Sequence, residues 1–307
     1  MKIRVGYGLG TQGLARADGF GELVDRLEER GFDSLWLSER VTGDAPDPLV
    51  GLAFAAGRTK KLKLGTSVQV LPGRNPALVA KEWASLDQLS GGRALPAFGL
   101  GVAQPAEQQA FGVERGERAA LFDEVLPLVR RLWTEERVDH DGPRYSFRDL
   151  SVRPLPAQQP LDVWLGGRAP SELRRVGRLG DGWLPSFSTP PEVAEGRRTV
   201  ETAAADAGRE IDPEHFGALV IYADDAIPDV LHAAIQARRP GLDPAELVPV
   251  GHAALRAHLE AFIARGFSKL VLIPAFDPPS WADELEALAA AVLPLQDKSR
   301  PRDGHGG

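Results

Sequence analysis

Short apolar runs of strand length alternate along this chain with longer stretches whose apolar residues recur every three or four positions. The first run, IRVGYGL at 3–9, is followed by FGELVDRLEERGF at 20–32, where Phe20, Leu23 and Leu27 share a helical face and Gly31 can end the helix. DSLWLSE (33–39) precedes DPLVGLAFAAGRT (47–59), in which Asp47 before Pro48 has the form of an N-cap followed by proline in the first turn. LKLGTSVQVL (62–71) leads to a helix behind Asn75 (75–90), and RALPAFGLG (93–101) to one at 117–135. LDVWLGG (161–167), GWLPSFS (182–188), FGALVIYAD (216–224) and KLVLIPAF (269–276) complete eight strands. Helical periods fill 169–180, 190–209 and 281–293, with another between the last two strands.

Strands alternating with helices eight times predict the α/β class and a (β/α)8 TIM barrel, one domain over 1–296 with insertions after strands 4 and 7. An open doubly wound sheet is the alternative. The proline-rich segment 136–160 reads as an inserted loop or hairpin, and 297–307, without an apolar face, as a disordered tail.

The chain has 307 residues, enough to fill such a barrel, and 43 % of them are hydrophobic. Its net charge of −7 argues against nucleic-acid or anionic-membrane partners, which need a basic face. The absence of cysteine removes disulfides, thiolate nucleophiles and zinc–thiolate sites, and fits a reducing compartment. There is no run of 18 apolar residues and the chain opens directly into a strand pattern, so a soluble cytoplasmic protein is expected.

Barrels of this kind carry their sites at the C-terminal ends of the strands. Those ends offer Gly8 and Gly10; Ser38, Glu39 and Arg40; Ser67 to Gln69 and then Arg74; Gly99 and Gly101; Gly166, Gly167 and Arg168; Ser186 and Ser188; Tyr222 and Asp224; Phe276 and Asp277. Small residues on four of these strands read as room left for a flat ligand, although tapering barrels also use them simply to pack. LGGR at 165–168, before a helix, can cradle a phosphate on its backbone amides with Arg168 adding charge, or be an ordinary strand-to-helix turn. The histidines show no HxH or HExxH spacing, so no metal is expected; Lys269 lies at the wrong end of its strand for a Schiff base.

Four blocks, in order, resemble the luciferase-like monooxygenase superfamily, and within it the oxidoreductases that use the deazaflavin coenzyme F420. They are GFDSLWLSER (31–40), LKLGTSVQVLPGRNPALVAKEWASLDQLSGGR (62–93), LWTEERVDHDGPRYSF (132–147) and DVWLGGRAPSELRRVGRLGDGWLP (162–185). The resemblance implies hydride transfer between F420 and a small organic substrate, and a homodimer. It implies a non-prolyl cis peptide at Ser67–Val68 backing the ring, with Thr66 among the small residues that make space. Glu39 would lie near the polar edge of the ring, Leu100 and Gly101 beside it, and Leu165, Gly166, Gly167 and Arg168 at the phosphate. Glu39 and Arg40 are the candidate catalytic residues. The sugar-phosphate dehydrogenases of the family carry histidine at the position of Arg40 and glutamate at that of Val102, so both acid–base groups of that reaction are missing here. Hydride transfer without them rests on positioning and ring electrostatics. The alternatives are an FMN-dependent monooxygenase using dioxygen and a non-catalytic flavin- or deazaflavin-binding protein.

Overall fold

The computed structural model describes residues 1–10 and 17–296; the tail expected over 297–307 lies outside the described residues. Eight parallel strands form the centre: β1 (Arg4–Gly8), β2 (Ser34–Leu37), β3 (Lys63–Thr66, resuming at Gln69–Val70), β4 (Ala94–Leu95, resuming at Ala97–Gly99), β5 (Trp164–Leu165), β6 (Gly182–Trp183), β7 (Gly217–Tyr222) and β8 (Lys269–Pro274). Each pairs with the next: Gly6 opposite Ser34, Leu64 opposite Ala94, Phe98 opposite Leu165, Gly182 opposite Trp164. A bridge between Trp183 and Phe216 joins β6 to the start of β7. Because β8 pairs both with β7 and with β1, the ring closes and the open-sheet alternative fails.

Helices follow the strands: α1 (Ala17–Arg30), α2 (Pro48–Arg58), α3 (Pro76–Ser90), α4 (Pro105–Phe111), α5 (Arg118–Thr134), α6 (Pro170–Leu179), α7 (Pro190–Asp206), α8 (Asp229–Arg238), α9 (His252–Ile263) and α10 (Trp281–Val292). The capping chemistry read from the sequence operates here. The Asp47 side chain accepts from Val50 N at 3.0 Å, and Asn75 accepts from Ala77 N at 2.9 Å. The insertion after β4 supplies α4 and, beyond α5, an antiparallel hairpin of Val138–Asp141 with Ser146–Leu150. That after β7 supplies α8 and the 3-10 turn Pro244–Glu246.

The strand ends are shorter than the apolar runs. The regular part of β6 ends at Trp183; Leu184 N still donates to Leu165 O and Pro185 O accepts from Leu219 N, but Pro185 has no N–H of its own and Phe187 takes a left-handed backbone (φ 52°). One apolar layer lies between strands and helices, with Tyr7, Leu23, Trp83, Phe98 and Phe216 buried in it. A second fills the barrel itself with Trp36, Leu95, Ala97, Trp164, Leu184 and Val271.

Candidate active site at the mouth of the barrel

The barrel interior is occupied by protein. Trp36 on β2 and Trp164 on β5 meet edge-to-face, ring centroids 6.4 Å apart. Glycines make room for them: a Cβ on Gly65 would stand 2.4 Å from the Trp36 ring, and one on Gly182 would stand 2.5 Å from Trp164. At the strand ends, a Cβ on Gly99 would come within 2.5 Å of Val68 Cγ2, and one on Gly8 within 3.1 Å of Ile273. These small residues serve packing, which corrects the expectation that they hold the mouth open. What they create is a floor.

Val68 tops that floor. The Ser67–Val68 peptide is cis, the conformation implied by the resemblance. From Leu64 to Pro72 only Val68 is not buried. Its side chain rests on the barrel-filling cluster and beside the backbones of Gly99 and Gly166. The hydroxyls around it have internal work. Ser38 Oγ donates to Ser67 O at 3.0 Å and lies 3.1 Å from Ser67 Oγ. Thr66 Oγ1 donates to Ala97 O (2.7 Å) and accepts from Ala97 N (2.9 Å), repairing the ladder where Pro96 interrupts β4. Thr66 is wholly buried, so the structure places it beneath the mouth rather than at it.

Glu39 is likewise tied inward. Its side chain is 4 % exposed, accepts from Val70 N at 2.6 Å and pairs with Arg74. Burial pushes its carboxyl up, against the pull of Arg74 and the Val70 amide. Arg74 in turn donates to Val70 O, and Tyr145 of the hairpin donates to Arg74 O, each at 2.9 Å. Arg74, which ends the GTSVQVLPGR run, is thus the cation that answers Glu39. Sequence order hid the pairing because 35 residues separate the partners.

Leu100 and Gly101 line a narrow cleft with Val70, Glu107, Phe111 and Arg118. Arg118 Nη1 donates to Gly101 O at 2.8 Å, and Gly101 has φ 77°. Over this cleft, α4 is fastened by Glu107, a buried carboxylate that accepts from Thr42 N (2.9 Å) and Thr42 Oγ1 (2.6 Å). Burial raises that carboxyl, but the Thr42 and Val41 donors win and hold it below the ordinary value.

The LGGR turn is more self-sufficient than its sequence implies. Gly166 N donates to Phe98 O, while Arg168 N and Ala169 N both donate to Glu172 Oε2 at 2.9 Å. Three of the four amides from 166 to 169 are therefore engaged internally, with Glu172 standing where an anion would. Trp183 Nε1 holds Gly167 O at 2.8 Å. Leu165 is buried against the helices, facing away from the mouth. Arg168 is exposed at the rim, and Arg40 stands at the end of β2. Arg238, whose guanidinium lies over the Phe187 ring, and Phe187 itself were not among the sequence candidates; Phe187 falls between the strand-end candidates Ser186 and Ser188, while Arg238 lies in the insertion after β7. Tyr222 lies outside the barrel, donating to Glu284 at 2.7 Å.

Among the described residues no cluster of three or more His, Asp or Glu could hold a metal, and no helix is long and apolar enough to cross a membrane. The luciferase-like monooxygenase family model matches residues 1–289. An F420-dependent glucose-6-phosphate dehydrogenase of Kineococcus radiotolerans is 36 % identical, over 59 % of this chain and 56 % of that protein. The chain therefore spans little more than half the length of that relative. One from Amycolatopsis mediterranei is 33 % identical over 68 % of each chain. Among solved structures, an F420-dependent secondary alcohol dehydrogenase in complex with an F420–acetone adduct superposes with a TM-score of 0.82, at 20 % identity, covering 97 % of this chain and 100 % of that one. With eight parallel strands closed into a ring and a family match over nearly all of its length, this chain belongs to the luciferase-like monooxygenase family.

Proposed function

We propose that this protein is an F420-dependent oxidoreductase that transfers a hydride between the deazaflavin and a small organic substrate. The observation that carries the reading is the apolar platform of Val68, alone in reaching solvent from its stretch and flanked by Gly99 and Gly166. A planar ring system fits such a platform, which offers flat contact without a deep cavity. The names of the F420-dependent relatives support the choice of ring. When bound, F420 supplies the two-electron hydride chemistry.

The chain's own residues supply position. Val68, with Leu100 and Gly101 beside it, seats the ring, and the buried Glu39–Arg74 pair fixes the strand behind it. Neither Arg40 nor Val102 can serve as a base, and Glu107 has its oxygens occupied. The reading is therefore of a site that orients reactants rather than one that shuttles protons. The expected homodimer is supported by exposed apolar side chains on two neighbouring helices: Val50 on α2, and Leu78 and Leu89 on α3.

Parallel fluorescence titrations with F420 and FMN test the function. Preferential F420 binding is expected, weakened at least tenfold in Val68→Asp, a change that costs about 1.4 kcal/mol or more. A preference for FMN would move the protein to the oxygen-using branch. Equal F420 affinity in the folded variant would remove Val68 from the site.

A further inference from the structure

The insertion after β7 leaves the barrel and returns to it at one residue. Ala223 N donates to Pro249 O at 3.0 Å, and Gly251 N donates to Ala223 O at 2.9 Å. Between these bonds the chain builds a small apolar core of its own, in which Ala223, Ile235, Leu247 and Val248 are buried. Ile221 of β7 and Phe187 beyond β6 pack against that core, and both stay half-buried. Ile221 shows where the core stands. Side chains alternate along a strand, so Ile221 shares the face of Leu219 and lies one step nearer the C-terminal end. Leu219 packs on the barrel-filling cluster of Trp36, Trp164 and Leu184, the same cluster that carries Val68. The insertion therefore meets the inner face of β7 at the mouth. Phe187 follows Pro185, whose carbonyl accepts from Leu219 N at 2.9 Å, so it too stands at the C-terminal end.

Phe187 is held against its own backbone preference. Its φ of 52° is left-handed, a conformation that bulky residues seldom adopt and that persists only where surrounding contacts over-determine it. Two consecutive arginines at the end of α8 supply such contacts. Arg239 Nη1 donates to Phe187 O at 2.6 Å, and Arg238 lays its guanidinium over the ring, Cζ 4.8 Å from the centroid. Arg239 is also ion-paired with Glu192, whose Oε2 accepts from Thr189 N at 2.9 Å and Thr189 Oγ1 at 3.1 Å at the start of α7. The Arg239 side chain is only 12 % exposed, which separates this clamp from an ordinary surface pair. One guanidinium thus ties the insertion to the end of β6 and to the first turn of α7.

We propose that the insertion after β7 gives the mouth an apolar wall, Phe187 with Ile221, that selects substrates with a hydrocarbon body, and that Arg239 is the positioning residue that sets this wall. The proposal rests on the oxidoreductase reading and assigns its substrate a chemical class. Hydrocarbon packs on Phe187 and Ile221, while a polyol placed there leaves hydroxyls stripped of water and without partners. Specificity then resides in the insertion, and the barrel strands beneath it keep the platform at Val68.

The test is a ligand-observed NMR titration of cyclohexanone and of dihydroxyacetone, first with cofactor-free protein and then with F420 added. Wild type should bind cyclohexanone the more tightly in at least one of the two forms. Phe187→Asn and Arg239→Gln should each cut that preference about tenfold, with partial recovery in Arg239→Lys. Asparagine accepts a left-handed backbone, so Phe187→Asn removes the apolar face and keeps the turn. The ratio of the two affinities is the deciding readout, because a general loosening of the fold weakens both ketones alike. An unchanged ratio in folded Phe187→Asn would overturn the wall, and an unchanged ratio in Arg239→Gln would overturn the positioning role. A wild type without preference for cyclohexanone in either form would overturn the substrate class. Failure of F420 to bind would count against the cofactor reading alone, since the first titration is made without it.

Discussion

Gly65 and Gly57 show how differently one residue type can be used. A methyl group on Gly65 would overlap the Trp36 ring at 2.4 Å, and Trp36 is fully buried against Trp164 with nowhere to move. Gly57, in α2, has nothing within 4 Å of its missing Cβ. Gly65→Ala should therefore destabilise the protein by about 1–3 kcal/mol through overpacking. Gly57→Ala should stabilise it by about 0.5–1 kcal/mol through helix propensity. Denaturant melts of the two variants check this, and equal midpoints would contradict the assignment of Gly65 to tryptophan packing. The same lesson applies to Thr66. A hydroxyl in an apolar strand looks like a ligand contact in sequence, but this one restores two hydrogen bonds around Pro96. Pro96 and Thr66 are 30 positions apart, and only the pairing of β3 with β4 brings them together.

At the scale of elements, the helices were the most legible feature. Their starts at Asp47–Pro48 and Asn75–Pro76 depend on contacts within three residues, which sequence order preserves. The strand lengths were less so, because an apolar run does not show where a ladder loses its regularity, as after Trp183, where Pro185 has no N–H and Phe187 takes a left-handed backbone. The outer faces of α2 and α3 carry another message. Val50, Leu78 and Leu89 are 67 %, 62 % and 85 % exposed, a large apolar area for helices on the surface. If they meet a second copy, Val50→Asp combined with Leu89→Asp should halve the mass measured by light scattering and leave the circular dichroism spectrum unchanged. A wild-type protein that already runs as a monomer would remove the dimer.

The barrel as a whole is locked at the face opposite the site. Lys269, at the start of β8, is 2.5 Å from Asp33, just before β2, and its side chain is 3 % exposed. Burial pushes the Lys269 ammonium down to about 8, against the pull of Asp33, so the pair is still charged at neutral pH. Burial pushes the Asp33 carboxyl up, but the Lys269 charge outweighs it and holds the group below its ordinary value. A carboxyl depressed in the fold contributes stability above its unfolded pKa, and that contribution is lost as pH falls through the folded value. Asp33→Asn should cost about 3–5 kcal/mol at pH 7 by leaving a buried ammonium unpaired. The difference from wild type should shrink on acidification below pH ~4. A constant difference across that range would show that the loss is steric.

Sequence by itself determined the alternation of strands and helices, their caps and the family, because periodicity, capping and motif order are all local along the chain. It also picked out the neighbourhood of the site, since the C-terminal ends of parallel strands converge in any barrel of this kind. Tertiary structure decided which of those residues face outward. It sent Thr66, Glu39 and Leu165 into internal contacts, gave the glycine-made space to Trp36 and Trp164, and raised Val68 to the surface. Those outcomes depend on which strands lie opposite one another, and that follows only once the ring closes.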